Sequence, residues 1–346
     1  MNVNTNANRK TYITVLSVIS CFCVVLMHTG SFWSFRGGMN WLSANVIDGV
    51  GYFAVPVFFM ISGANLINYR ERYTTVQFFK KRILKTVLPF LVWNTLGMIY
   101  FLIKSGIPEG FSAISVLKSL ISVNVSVYWF FPVLFSTYLC IPILSLIPKS
   151  SRQNAFKYII LAGLLINILP AFLSNIAFEK NILTMDFSFP YGARYIIYIC
   201  LGYYIDNYKI EKKKRIIIYI LGILGLLLTI AETQYLSIRD GHINTLYKEF
   251  CNLPTFLYSA AVFTLFKNID FTKMQFIVKT ADFFAPQTFG IYLIHFFVID
   301  ILGAILPETI TVDILYRTLG AAAIFIITAM IVKLMQKIPI IKKIVP

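Results

Sequence analysis

Charge is scarce in this chain. Only 13% of its 346 residues are Asp, Glu, Lys or Arg, about half the share usual in a soluble domain. No polar stretch is long enough for a separate soluble domain, so residues 1–346 are expected to form one membrane-embedded unit with spans between about 12 and 335. Histidine is scarcer, with three in all. Of the five cysteines, Cys21 and Cys23 stand in a C-x-C spacing with no second His or Cys pair nearby to complete a zinc set. No metal site and no bound cofactor are therefore expected. The nucleophile elbow, the phosphate-binding glycine loop and the HExxH zinc motif are all missing, which sets aside the hydrolase, nucleotide-binding and metalloprotease patterns. No internal repeat is visible.

Apolar residues fill the space left by charge. They make up 58% of the chain, 31 of them phenylalanine, with a mean hydropathy of +0.74. Ten apolar runs stand out: Tyr12–Trp33, Val50–Tyr69, Ile83–Ile103, Tyr128–Ile147, Tyr158–Leu173, Tyr191–Ile205, Ile216–Ala231, Pro254–Phe266, Gln287–Leu306 and Leu315–Met335. The runs are continuous rather than alternating, so they read as helices and not as barrel strands. The predicted fold class is an all-α integral membrane protein, a polytopic bundle of about ten transmembrane helices. Tyr191–Ile205 and Pro254–Phe266 are the weakest spans, because a helix needs about 20 apolar residues to cross a bilayer. The first run continues to Trp33 without a small-residue cleavage site and is expected to stay as an uncleaved helix.

The net charge of +16 does not point to nucleic acid, since the cations sit in short loops between apolar runs and no basic face with interleaved aromatics appears. With the N-terminus placed in the cytoplasm, 23 of the 31 Lys and Arg residues fall on the cytoplasmic side, as the positive-inside rule requires. The expected location is the inner membrane of a bacterial cell, with both termini cytoplasmic.

His28 lies inside the first apolar run, 16 residues after Tyr12, or about 24 Å along a helix. That depth is near the outer side of the bilayer. An ionisable group there usually faces a water-filled cavity or the bundle interior, and imidazole suits proton abstraction from a hydroxyl; a hydrogen-bonded packing histidine is the other reading. For His295, in the ninth run, bonding to a neighbouring helix is the stronger reading. His242 belongs to a polar outer loop and reads as solvated. The run Phe79-Lys80-Lys81-Arg82-Ile83-Leu84-Lys85 orients the protein, and it also offers cations suited to phosphate oxygens. Pro56 and Pro89 read as kink sites, and Gly63, Gly192, Gly202 and Gly290 as points of close helix approach.

Five blocks, in order, carry a family resemblance: Val24-Val25-Leu26-Met27-His28; Val55-Pro56-Val57-Phe58-Phe59-Met60-Ile61-Ser62-Gly63; Phe79 to Pro89; Trp129-Phe130-Phe131-Pro132 with Tyr138 and Pro142; and Phe289-Gly290-Ile291-Tyr292-Leu293-Ile294-His295. The chain resembles the acyltransferase-3 family of bacterial membrane acyltransferases, which includes polysaccharide O-acetyltransferases. The resemblance implies an O-acyltransferase that takes an acyl group, with acetyl the first expectation, from acyl-CoA at the cytoplasmic side. It delivers that group to a hydroxyl of a surface glycan or glycolipid. Partners would be acyl-CoA, the glycan acceptor, membrane lipid and other glycan-assembly proteins. His28 maps to the family's proposed catalytic residue, and Lys81, Arg82 and Lys85 to a donor-binding stretch. On the same reading Arg194 would orient the histidine or stabilise the oxyanion, and a carboxylate such as Asp186 would fix its tautomer.

The family pattern has Arg or Lys eleven residues before the histidine. Here Ser17 stands at that position, so Lys10, Arg9 or another loop must supply the charge, or the donor is held differently. With no extracytoplasmic esterase-like stretch in the sequence, the stand-alone form of the family is the expectation. Two other function classes fit ten helices and a polar intramembrane residue: a transporter or flippase for a glycan or lipid-linked intermediate, and a structural subunit of a glycan-assembly complex.

Overall fold

A computed structural model describes residues 3–30, 32–35, 38–108, 110, 112–179 and 194–346. Every regular element among them is helical. In chain order the α-helices are α1 (Val3–Thr29), α2 (Gly38–Gly51), α3 (Ala54–Leu66), α4 (Thr75–Arg82), α5 (Leu88–Ser105), α6 (Ala113–Ile121), α7 (Phe130–Ser145), α8 (Lys149–Gly163), α9 (Leu169–Glu179), α10 (Ile196–Asn207), α11 (Lys212–Asp240), α12 (Leu253–Asn268), α13 (Gln275–Phe284), α14 (Thr288–Ile305), α15 (Glu308–Thr311) and α16 (Ala321–Met335). The protein is an all-α polytopic membrane protein.

Among the described residues, eight helical stretches are long and apolar enough to cross a bilayer: Thr11–Thr29, Trp41–Glu71, Thr75–Ser105, Ser126–Ser145, Lys149–Ile176, Lys212–Asp240, Gln275–Ile305 and Tyr316–Met335. The two spans that sequence marks as weakest are the two that fall short. They form α10, of 12 residues, and α12, of 16, which reach about 18 and 24 Å. Both lie inside the protein. Ile197 to Ile205 is buried almost throughout, and so are Thr255, Phe256, Ser259, Ala260 and Phe263. A helix surrounded by other helices need not match the lipid thickness. The turn ahead of α12 is also covered, with Lys248, Cys251 and Asn252 all buried.

Three prolines shape the bundle. Pro56 lacks the N–H that would bond the Tyr52 carbonyl, and its ring crowds that carbonyl; the stretch Trp41–Glu71 breaks there, at Tyr52–Phe53, between α2 and α3. Ahead of Pro89 the chain widens into a π-turn, Ile83–Val87, closed by the Leu88 N–H on the Ile83 carbonyl. The same happens over Leu164–Ile168, ahead of Pro170. A π-turn absorbs the hydrogen bond that proline cannot make. The first of these turns follows Arg82, the last residue of α4, and contains Lys85.

Helix α1 is the hub and packs on α2, α3, α12, α13, α14 and α16. Its buried side chains, among them Leu16, Val24 and Val25, belong to the main core. Helices α3 and α10 approach closely through Gly63 and Gly202. A Cβ on Gly63 would overlap the Ile199 carbonyl, and one on Gly202 would overlap the Met60 backbone.

Candidate active site

His28 occupies the last turn of α1, and its ring is exposed to a cavity of about 190 Å³. His28 Nδ1 lies 3.0 Å from Nε2 of His295, which is fully buried on α14. His295 Nδ1 in turn lies 3.0 Å from the Ile291 carbonyl and 2.8 Å from the Tyr292 carbonyl. Carbonyl oxygens only accept, so His295 Nδ1 must carry hydrogen. Neutral His295 then has its lone pair on Nε2 and accepts from His28 Nδ1–H. The lone pair of His28 is thereby fixed on Nε2, the nitrogen required of a general base. The backbone of α14, acting through His295, and the Val24 carbonyl of α1 together favour this tautomer of His28.

Aromatic rings line one wall of this cavity. Tyr52 stacks on Phe250 with ring centroids 4.3 Å apart, and Phe250 stacks on Trp129 at 5.3 Å. Trp33, 74% exposed, stands at the cavity as well. The wall is held by backbone contacts, in which the Tyr52 hydroxyl donates to the Lys248 carbonyl at 2.6 Å. A buried ion pair, Asp48 Oδ2 to Lys248 Nζ at 2.7 Å, completes the lining.

A second cavity, of about 340 Å³, is lined by Ser17, Arg82, Lys85, Tyr138 and Tyr292 among others. Ser17 precedes His28 by eleven residues on the same helix, about 16.5 Å along its axis. The two cavities share one residue, Tyr292. Its hydroxyl donates to the Val127 carbonyl, while the Tyr128 hydroxyl donates to the Leu293 carbonyl at 2.5 Å. The turn of α14 that carries Tyr292 and His295 is therefore braced against the short 3-10 segment Ser126–Trp129 that precedes α7. This bracing is the structural role of the aromatic block around Trp129.

The residues singled out in the sequence separate clearly. His28 faces the first cavity. Arg82 and Lys85 line the second together with Ser17, so two cations from the α4 end stand where α1 carries none. Arg82 packs its guanidinium over the Phe78 and Tyr138 rings, and its Nε has no hydrogen-bond partner among the described residues. Lys81 turns away: its ammonium sits 3.8 Å from the Tyr73 ring centroid and lines neither cavity. Arg194 lines a third cavity, of about 170 Å³, which meets the first at Tyr52, Trp129 and Phe250. The aromatic stack therefore stands between Arg194 and His28. Asp186 lies outside the described residues. His242 is exposed, with Nδ1 2.9 Å from the Asp240 carbonyl.

His295 reads in the sequence as bonding a neighbouring helix, and it does so through His28 on α1; the identity of that partner is what the sequence does not give. Asp48 and Lys248 draw no attention in the sequence; a carboxylate just ahead of an apolar run, with a lysine just ahead of a later one, was the available signal.

A family model described as an acyltransferase domain, Acyl_transf_3, matches residues 10–333. No curated protein and no solved structure matches the chain. The matched range contains His28, His295, Arg82, Lys85 and both cavities except for Pro346.

Proposed function

The chain belongs to the acyltransferase-3 family and is a membrane acyltransferase, and from that premise we propose that it moves an acetyl group from cytoplasmic acetyl-CoA to a hydroxyl of a surface glycan. In this reading the cavity with Arg82 and Lys85 receives the donor from the cytoplasm, and the cations meet the phosphate groups of coenzyme A. Arginine and lysine are suited to phosphate oxygens, and Lys81 contributes to the local positive potential at the entrance. The pantetheine arm extends along α1 past Tyr292 and brings the thioester carbonyl to His28. The distance from Ser17 to His28 is of the order of that arm's length.

The acceptor sugar enters the first cavity and lays its apolar face on the Tyr52–Phe250–Trp129 wall. His28 Nε2 removes the proton from the acceptor hydroxyl as its oxygen attacks the thioester carbonyl. The carbon–sulfur bond breaks, the thiolate takes up the proton from His28, and the ester leaves on the sugar. His295 holds the tautomer and shares the charge of the transient imidazolium. Arg194, in the adjoining cavity, orients the acceptor. A thiolate is a good leaving group, so the step needs no strong general acid. Both termini lie in the cytoplasm of a bacterial cell, the protein sits in the inner membrane, and glycan-assembly proteins supply the acceptor.

The observation that carries this reading is the shared wall at Tyr292, with an oriented base on one side and two cations on the other. Mass spectrometry of surface glycans from cells with and without the protein tests it. Loss of an ester-linked acetyl group on deletion is the expected result. A glycan reduced in amount but unchanged in composition would instead indicate a transporter, which leaves its cargo unmodified.

A further inference from the structure

Asp48 and Lys248 are charged, buried and part of the wall around His28, and the transfer step above makes no use of them. Lys248 Nζ lies 2.7 Å from Asp48 Oδ2 and donates to Asn45 Oδ1 at 3.1 Å. Its remaining side faces the Phe32 ring, 3.9 Å from the centroid. The three donors of the ammonium are thereby committed. Asn45 is itself anchored, its amide donating to the Ile230 carbonyl at 2.9 Å and to Gln234 Oε1 at 3.3 Å.

The carboxylate is not committed in the same way. Two carboxylate oxygens can accept about four hydrogen bonds, and Lys248 is the single partner of Asp48 among the described residues. Stability alone does not account for such a pair, because removing two charges from water costs about as much as their attraction returns. A carboxylate held rigidly by a lysine, with acceptor capacity left over and a cavity in front of it, is suited to binding a donor.

The cavity thus offers His28 Nε2, spare acceptor capacity on Asp48 and a stacked aromatic wall. A ligand that fits carries two neighbouring donors and an apolar face. A pyranose meets that description when the hydroxyl to be acylated is adjacent to a second hydroxyl. We infer that Asp48 accepts a hydrogen bond from the donor next to the acylated hydroxyl and so selects which hydroxyl of the sugar reaches His28. Lys248 and Asn45 position the carboxylate. This assignment rests on the transfer reading above and adds the identity of the recognised group.

The test uses the full-length protein in membrane vesicles, with acetyl-CoA as donor. The acceptor probe is the shortest fragment of the host surface glycan that gains the acetyl group, alongside analogues deoxygenated at each neighbouring position. In Asp48→Asn the amide oxygen turns to Lys248 and presents its NH₂ to the sugar, which removes one charge-assisted hydrogen bond worth about tenfold to hundredfold. The KM for the sugar should rise by that factor, while the KM for acetyl-CoA stays within about twofold of wild type. Wild type should lose the same factor on one of the deoxygenated acceptors, and Asp48→Asn should lose nothing further on it. A merely structural pair would shift both KM values or lower kcat, and it would leave the two losses to multiply; that result overturns the assignment. Equal use of every deoxygenated acceptor by wild type overturns it too, and that arm needs no variant to fold. If wild type acetylates no host glycan at all, the transfer reading itself falls and takes this one with it.

Discussion

Replacing His295 separates a working histidine pair from two histidines that happen to pack. His295→Ala removes the acceptor that lies 3.0 Å from His28 Nδ1. The N–H of His28 is then left with the Val24 carbonyl one turn back on α1, and the tautomer with the lone pair on Nε2 is held less firmly. Losing one hydrogen bond costs about 0.5–1.5 kcal/mol, which at about 1.4 kcal/mol per decade is roughly a 2- to 12-fold fall in rate. His295→Gln places a carboxamide oxygen near the position of the lost Nε2 and should recover most of that factor. His28→Ala removes the base itself and should cost about 10²–10⁴. Because the two residues act as a unit, His28→Ala/His295→Ala should be no slower than His28→Ala alone. The assay is ester formation on the glycan from labelled acetyl-CoA in membrane vesicles, normalised to the amount of each variant in the membrane. Losses that multiply in the double variant, or a Gln variant as slow as the Ala variant, would refute the relay.

Three further outcomes follow from other parts of the molecule. In a cysteine-free background, a membrane-impermeant maleimide applied from outside should label Asp240→Cys and leave Lys213→Cys unlabelled; the reverse pattern would invert the orientation. Replacing Arg82 and Lys85 together with Gln should raise the KM for acetyl-CoA by about tenfold or more through lost charge-assisted contacts, and an unchanged KM would reduce the pair to a topology signal. Gly63→Ala should lower the thermal midpoint of the purified protein, since a Cβ there meets the Ile199 carbonyl and overpacking typically costs about 1–3 kcal/mol; Gly303→Ala, which meets nothing within 4 Å, is the control, and equal midpoints would contradict the close contact of α3 with α10.

Hydrophobic runs report contact with lipid, and where helices touch lipid the sequence locates them well. Lys149–Ile176 has only 6% of its apolar window buried inside the protein, and its run is plain in the sequence. Helices α10 and α12 are short because protein, not lipid, surrounds them, so a length criterion set by bilayer thickness underrates them. Counting charges cannot show that Lys248 is buried on Asp48, since the positive-inside rule counts cations without asking whether each is solvated.

His28 was legible from its depth and its motif, but its partner was not. The first and ninth apolar runs meet only after folding, and no spacing in one sequence reports contact across 267 residues. The basic stretch was legible as a group but not residue by residue. Adjacent positions on a helix point about 100° apart, which sends Lys81 to the Tyr73 ring while Arg82 and, within the π-turn, Lys85 line the cavity. Ser17 looked like a missing cation, and the cavity places two others beside it.

The most direct measurement is the acetyl ester content of the surface glycan, by mass spectrometry, in cells whose only copy of the protein is His28→Ala at wild-type membrane levels. A base whose lone pair is fixed on Nε2 and open to the acceptor cavity implies a glycan with essentially no ester, matching the deletion. Wild-type esterification by that variant would remove His28 from the chemistry and contradict the mechanism.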